Sequence, residues 1–364
     1  MCKKLKVFIC AVLGIFLVSL GVFCLFTSTR SNGFPTKHAA LAAAALALPD
    51  GGYRLAQVYG NDSTEPDASS SEYSTEEVTS PELLTTATID ETVFSEDSSL
   101  YADEVQLPVV ETQYSDGDLG FNNFFVKNTT GFSLDIEKYL NRPLDCQIEK
   151  TKDVQVLIVH THTCESYLTY DEGYYHESFY PRSENPQRNM LRVGRAIVEG
   201  LEAQGIGAVQ ATEIHDSPAY DGAYYRSYDT IMKYIEKYPD IKVVLDVHRD
   251  SISYTNSGKV KPTFTYNGQK GAQIMIMAGY DPDGSYDFPF WEENLTFALK
   301  LQDACENMYP GMTRPLYFGN FAYNMSVNTG SLLIEMGTDV NTLQEAVYTG
   351  KLLANVLAKV LQTG

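Results

Sequence analysis

His162 and Glu165 stand three residues apart, and a further imidazole, His248, follows far downstream. Two imidazoles and one carboxylate form a zinc donor set that leaves one coordination position open for water. Zinc lowers the pKa of that water to about 7, and a nearby carboxylate can then take its proton. Glu335 is the candidate for this base, and it could later pass the proton to a leaving nitrogen. His160 competes with His162 for the metal. The pairing with Glu165 favours His162, which leaves His160, grouped with the catalytic residues, either to support a ligand from behind or to face the substrate. Arg249 is grouped with the catalytic residues, although an ion pair with Asp250 that supports the rim is the simpler reading of Arg249-Asp250.

Cys164 offers a different chemistry. With His160 or His248 and Asp250 it could form a thiol hydrolase, but that scheme leaves Glu165 and Glu335 unused. A binding module that keeps the fold without catalysis is a third reading, and it would have no use for Glu335. His176 and His215 lie in Tyr-rich sequence and read as surface residues, substrate-proximal at most.

The elements that must position these residues alternate. Strands are expected at Asp153–His160, Gly207–Thr212, Ile241–His248, Ala272–Ala278 and Ser331–Glu335. Helices are expected at Asn189–Gln204, Tyr225–Tyr238, Phe290–Met308 and Val340–Leu361, with a capping element over Phe121–Phe125 and Phe132–Ile136. Such alternation predicts an α/β fold with a largely parallel sheet and helices on both faces. In open α/β sheets ligands bind at the carboxyl ends of strands. His160, His162 and Glu165 follow the first of these strands, His248 closes the third and Glu335 the fifth.

The 364 residues carry 47 acids against 27 Lys and Arg, a formal charge of −20. This surplus argues against nucleic acid as a partner. Its distribution is uneven. Residues 61–118 hold 16 acids and no base, so the rest of the chain has 31 acids against 27 bases. That segment has no sustained hydrophobic period and reads as a solvated tether, part of a linker over 29–118.

Residues 1–6 contain Lys3, Lys4 and Lys6, and Val7 to Ser28 is an uncharged apolar run. At 1.5 Å per residue the run can cross a hydrocarbon core of about 30 Å, and it is longer than the apolar region of a cleavable signal. The lysines place residues 1–6 in the cytoplasm and the remainder outside the cell membrane. A catalytic domain is expected over 119–364. Cys146, Cys164 and Cys305 make neither a disulfide framework nor a zinc-knuckle spacing.

His160-Thr-His-Thr-Cys-Glu-Ser-Tyr167, Asp246-Val-His-Arg-Asp250 and Leu333-Ile-Glu-Met-Gly337 occur in this order behind the apolar run. Together with the stretch from Asn128 to Leu144 they resemble the stage II sporulation protein P family. The resemblance implies a zinc-dependent N-acetylmuramoyl-L-alanine amidase that cleaves peptidoglycan between the lactyl group and the stem peptide, and possible endopeptidase action on cross-links. It also implies engulfment of the forespore as the setting, in the mother-cell membrane facing the intermembrane space, with sporulation proteins D and M as partners. Carried over, the metal ligands fall on His162 (or His160), Glu165 and His248, and the catalytic glutamate on Glu335.

Overall fold

The computed structural model describes residues 103–254 and 258–363. The apolar run at 7–28 and most of the 29–118 linker lie outside the described residues. Among those described, no helix is long and apolar enough to cross a membrane.

Strands β1 (Gln106–Thr112), β2 (Leu119–Phe121) and β3 (Phe124–Asn128) precede a short helix α1 (Ile136–Leu140). Then follow β4 (Val154–Val159), β5 (Tyr174–His176), α2 (Met190–Ala203), β6 (Gly207–Gln210), α3 (Ala223–Lys237) and β7 (Val243–Asp250). The chain continues through β8 (Ser253–Tyr254), β9 (Gly258–Tyr266), β10 (Gln269–Ala272), β11 (Ile274–Gly279) and α4 (Trp291–Met308). It ends with β12 (Leu316–Gly319), β13 (Ser331–Thr338) and α5 (Leu343–Thr363).

The main sheet has eight strands in the order β2-β3-β12-β11-β13-β7-β4-β6. It corrects the expectation of a largely parallel sheet, because it is mixed. β13, β7, β4 and β6 form one parallel block, β3, β12 and β11 another, and the two blocks meet antiparallel where β11 pairs with β13. The reversal has a local cause. β11 and β12 run parallel through the crossover helix α4, whereas from β12 the chain returns by a loop with one 3₁₀ turn, Met325–Val327, and enters β13 in the opposite direction on the other side of β11. A second, smaller sheet joins β10, β9, β1 and β5, with β8 on β9. Its β9–β10 hairpin turns on Asn267 and Gly268, both at positive φ, as a two-residue turn of this type requires. Strand β1 lies inside the segment assigned from sequence to the linker, so ordered chain begins before residue 119.

Alternate residues of the central strands feed opposite faces. Val156 and Ile158 of β4, Leu245 and Val247 of β7, and Leu332 and Ile334 of β13 pack with α2, α4 and α5 in the large core. Leu157, Val159 and Val244 pack against Ile231 of α3 on the other face, and Leu333 packs there with Met277, Phe288 and Phe321. Helices therefore cover both faces, as expected. The terminal helix starts in a capping box: Thr342 Oγ1 accepts from the Glu345 amide and the Glu345 carboxylate accepts from the Thr342 amide, at 3.2 and 3.0 Å.

Candidate metal centre

β4, β7 and β13 are consecutive neighbours, so their carboxyl ends deliver their residues to one rim. After Val159 the chain leaves the sheet in a tight turn that β7 holds in place. Asp246 accepts from the Thr161 amide at 2.8 Å and from its hydroxyl at 2.7 Å. The Cys164 amide donates to Asp216 at 3.0 Å. The residues between them have little freedom, and His162 is aimed inward.

His162 Nδ1 lies 3.2 Å from Glu165 Oε1, and His248 Nδ1 lies 3.6 Å from Glu165 Oε2. One donor atom from each of these three buried residues falls within 4.8 Å of the others. His248 Nε2 faces Asp246 Oδ1 at 2.8 Å, which fixes the ring and turns Nδ1 toward Glu165. Asp246 and His248 share a face because they are two apart on one strand. Among the described residues this is the one His/Cys/Asp/Glu group with such geometry.

The electrostatics fit a cation. Burial alone would raise the Glu165 carboxyl, but Arg249 and the two imidazoles hold it well below the usual carboxylate range. Burial would lower His248, yet Asp246 and then Glu165 hold it well above the usual imidazole range. Burial keeps His162 below that range despite Glu165. Without metal, a proton on His248 thus supplies positive charge between two carboxylates. A donor set of two imidazoles and one carboxylate suits zinc, and Asp246 provides the outer carboxylate such a histidine needs.

Glu335 of β13 is in register with His248 of β7. Its side chain is partly accessible, but Oε2 is enclosed and has no hydrogen-bond partner. Burial and the nearby Asp250 push its carboxyl up to about 8, against the pull of His248.

Tyrosines wall the centre. Tyr220 stacks on His162 with ring centroids 4.5 Å apart, and Tyr224 meets the same ring edge-on at 5.5 Å. Tyr224 also stacks on His248 at 6.3 Å and on Tyr323 at 5.1 Å. Tyr323 holds a positive φ of 45°, which a bulky residue rarely adopts. Sequence reading missed these three rings and Asp246. The tyrosines lie among 25 in the chain and no spacing singles them out. Asp246 could have been found from its Asp-x-His spacing on a strand.

The structure brings His162, Glu165, His248 and Glu335 together and sets the other candidates apart. His160 is buried, donates from Nδ1 to the Val247 carbonyl at 2.8 Å and accepts at Nε2 from the Gln210 amide at 2.9 Å. Both ring nitrogens are engaged, and burial lowers its pKa to about 4. It therefore braces β4 against β7, and neither ring nitrogen is left open toward the grouped donors. Arg249 is not paired with Asp250, because neighbouring strand residues point apart. Its backbone amide donates to Glu165 Oε2 at 3.2 Å, and its guanidinium holds the Ser166 and Pro181 carbonyls at 3.2 and 2.8 Å. Arg249 is a positioning residue for Glu165, while Asp250 pairs with Arg314 at 2.9 Å.

Burial and Asp216 push the Cys164 thiol up to about 12, which leaves it inert near neutral pH. His215 is buried rather than superficial, with Nδ1 on the His160 carbonyl and Nε2 on Thr230. His176 lies in β5 and is not one of the grouped donors.

The family model for stage II sporulation protein P matches residues 56–358. Similar solved structures include the N-acetylmuramoyl-L-alanine amidase AmiC2 of Nostoc punctiforme, at 13% identity over 58% of this chain and 96% of that one, with a TM-score of 0.33. The CwlD amidase from Clostridioides difficile, solved in complex with the GerS lipoprotein, has 10% identity over 57% and 94% with a TM-score of 0.33. The amidase Ami1 from Mycobacterium smegmatis has 10% identity over 58% and 98% with a TM-score of 0.34. A search of curated protein sequences gives no match. The family match spans every residue of the rim, and the chain belongs to the stage II sporulation protein P family.

Proposed function

We propose that the chain is a zinc-dependent peptidoglycan hydrolase of sporulation that cleaves the amide between the lactyl group of N-acetylmuramic acid and the first L-alanine of the stem peptide. The observation that carries this reading is the convergence of His162, Glu165 and His248 beside the enclosed, unbonded Oε2 of Glu335. A binding module would need no carboxylate in that position.

Zinc, if bound, would be held by His162, Glu165 and His248 and would supply a Lewis acid for the scissile carbonyl and lower the pKa of the attacking water to about 7. The chain's own residues do the rest. Asp246 holds His248 in the tautomer that presents Nδ1, and Arg249 fixes Glu165 through its backbone amide. A cation held beside Glu335 would draw its carboxyl down from about 8 toward the ionised form, and Glu335 then takes a proton from the attacking water as oxygen bonds to the lactyl carbon. It then delivers that proton to the alanine nitrogen as the C–N bond breaks, leaving a free amine and a lactyl carboxylic acid that releases its own proton to solvent. Tyr220, Tyr224 and Tyr323 shield the donor side from bulk water, which strengthens each of these interactions.

The same reading makes residues 7–28 a membrane anchor and the acidic stretch before β1 a tether, with the hydrolase outside the cytoplasm in the intermembrane space. Sporulation proteins D and M are the partners this assignment brings, and cross-link endopeptidase action is a second activity of the same centre.

Dialysis of the full chain against a chelator, followed by return of zinc, tests the reading. Release of stem peptides from purified sacculi is expected to vanish and return, and Cys164→Ala is expected to behave like wild type. Activity that survives metal removal would overturn it.

A further inference from the structure

A cleft of about 550 Å³ opens beside the metal centre, walled by the segment from Ser166 to Arg188 and the start of β1. Its size suits a small ligand or one unit of a polymer. The reaction assigned above does not use it.

The cleft shares a wall with the rim. Ser166 follows the ligand Glu165, and Arg182, which also lines the cleft, bridges to the Glu165 backbone. The Arg182 guanidinium lies 5.1 Å over the ring of Tyr220, which stacks on His162, and it is paired with Asp216 on its other side. The cleft and the metal centre are therefore neighbours across Ser166 and Arg182, although none of His162, Glu165, His248 and Glu335 lines the cleft itself.

The lining is aromatic and open. Tyr180 is 69% exposed and Tyr170 49% exposed, with Tyr174 and Phe179 half-buried behind them. Among hydroxyl-bearing neighbours these rings present flat apolar faces beside hydrogen-bonding groups. Pyranose rings have the matching chemistry, with C–H faces above and below and polar substituents around the edge.

The loop bearing Tyr170 is also fixed at unusual expense. Lys261, 1% exposed on β9, reaches Asp171 at 2.7 Å and Glu345 of α5 at 3.1 Å. Lys270 holds the same Asp171 at 3.2 Å and Glu111 of β1 at 2.7 Å. A buried lysine committed to a surface loop pre-orders the residue next to it, which is what a binding site requires.

We propose that this cleft is the subsite for the glycan strand of the polymer, receiving an N-acetylated pyranose against Tyr180 and Tyr170 while the lactyl amide reaches the metal centre. The proposal rests on the peptidoglycan reading above. The scissile bond joins glycan to peptide, so the two parts must leave the centre in different directions, and the aromatic cleft suits the sugar.

Calorimetric titration of the zinc-loaded full chain with peptide-free glycan strands tests this, beside a parallel titration with free stem peptide. Wild type is expected to bind the strands. Tyr180→Ala with Tyr170→Ala is expected to weaken them by about tenfold or more, Tyr180→Phe to bind as wild type does, and none of these to change stem-peptide affinity. Equal glycan binding by wild type and the double alanine variant would overturn the proposal, as would a loss confined to stem peptide. If wild type hydrolyses sacculi but does not bind strands, the cleft assignment fails and the hydrolase reading stands. If it binds strands through these tyrosines but releases no peptide with zinc, the cleft assignment stands and the hydrolase reading fails.

Discussion

Glu335 and His248 are register partners on adjacent parallel strands, so the proposed base and one proposed ligand are set side by side by the backbone ladder itself. Their spacing does not depend on a loop. This ties the proposed acid–base group to the proposed metal group through the centre of the main sheet, where β13 and β7 pair over six residues of each strand.

Glu335→Gln keeps the shape of the side chain but cannot accept the proton. The variant is expected to bind zinc at wild-type stoichiometry and to lose about two to four orders of magnitude in peptide release. Metal content by mass spectrometry together with initial rates on sacculi checks both halves. A wild-type rate would remove Glu335 from the mechanism.

Zinc affinity should depend on pH through His248. Its folded pKa is raised, so its contribution to metal-free stability is fully present below about 6.5 and is lost as pH rises through the raised value. Metal needs the neutral ring, so a proton must leave on binding. Below the raised pKa the zinc dissociation constant should therefore fall about tenfold per pH unit gained. Competition with a chromophoric chelator across that range measures the slope, and a flat profile would show that no such proton is held.

Asp246→Asn tests the outer carboxylate. The change is expected to weaken zinc binding about 10- to 100-fold, because the amide neither charges nor orients His248 as the carboxylate does. It should also move the pH profile of zinc affinity to lower values, which a purely structural role would not do.

His160→Ala should separate support from chemistry. Loss of a buried ring that bonds Val247 and Gln210 is expected to cost about 2–4 kcal/mol in urea unfolding. The folded variant should still bind one zinc per chain. A loss of zinc without a loss of stability would return His160 to the metal group.

The strands carrying His248 and Glu335, and the one ending at Val159, were legible because short β-rich runs leading into His or Glu put chemistry where open sheets hold ligands, although β7 and β13 run on to Asp250 and Thr338. The helices at Met190–Ala203, Ala223–Lys237 and Trp291–Met308 lie where apolar periodicity placed them, to within a few residues. The antiparallel join of β11 to β13 was not legible, since strand direction depends on how a loop returns rather than on any residue pattern. β1 was lost in acidic sequence because it lies at the margin of the fold, with its polar residues facing out and its pairing supplied by β9 and β5. His160 and His162 could not be separated by type or spacing. What separates them is the turn pinned by Thr161 on Asp246, which sends one ring into the sheet and the other to the rim.

The central claim is that zinc at His162, Glu165 and His248 directs cleavage of the lactyl–alanine amide, and mass spectrometry of digested peptidoglycan tests it most directly. The account predicts fragments with a new L-alanine amine and intact muramic acid lactyl carboxyl groups, formed by the zinc-loaded full chain and absent with His248→Ala. Fragments cut only within the glycan, or the same fragments from the His248→Ala chain, would contradict it.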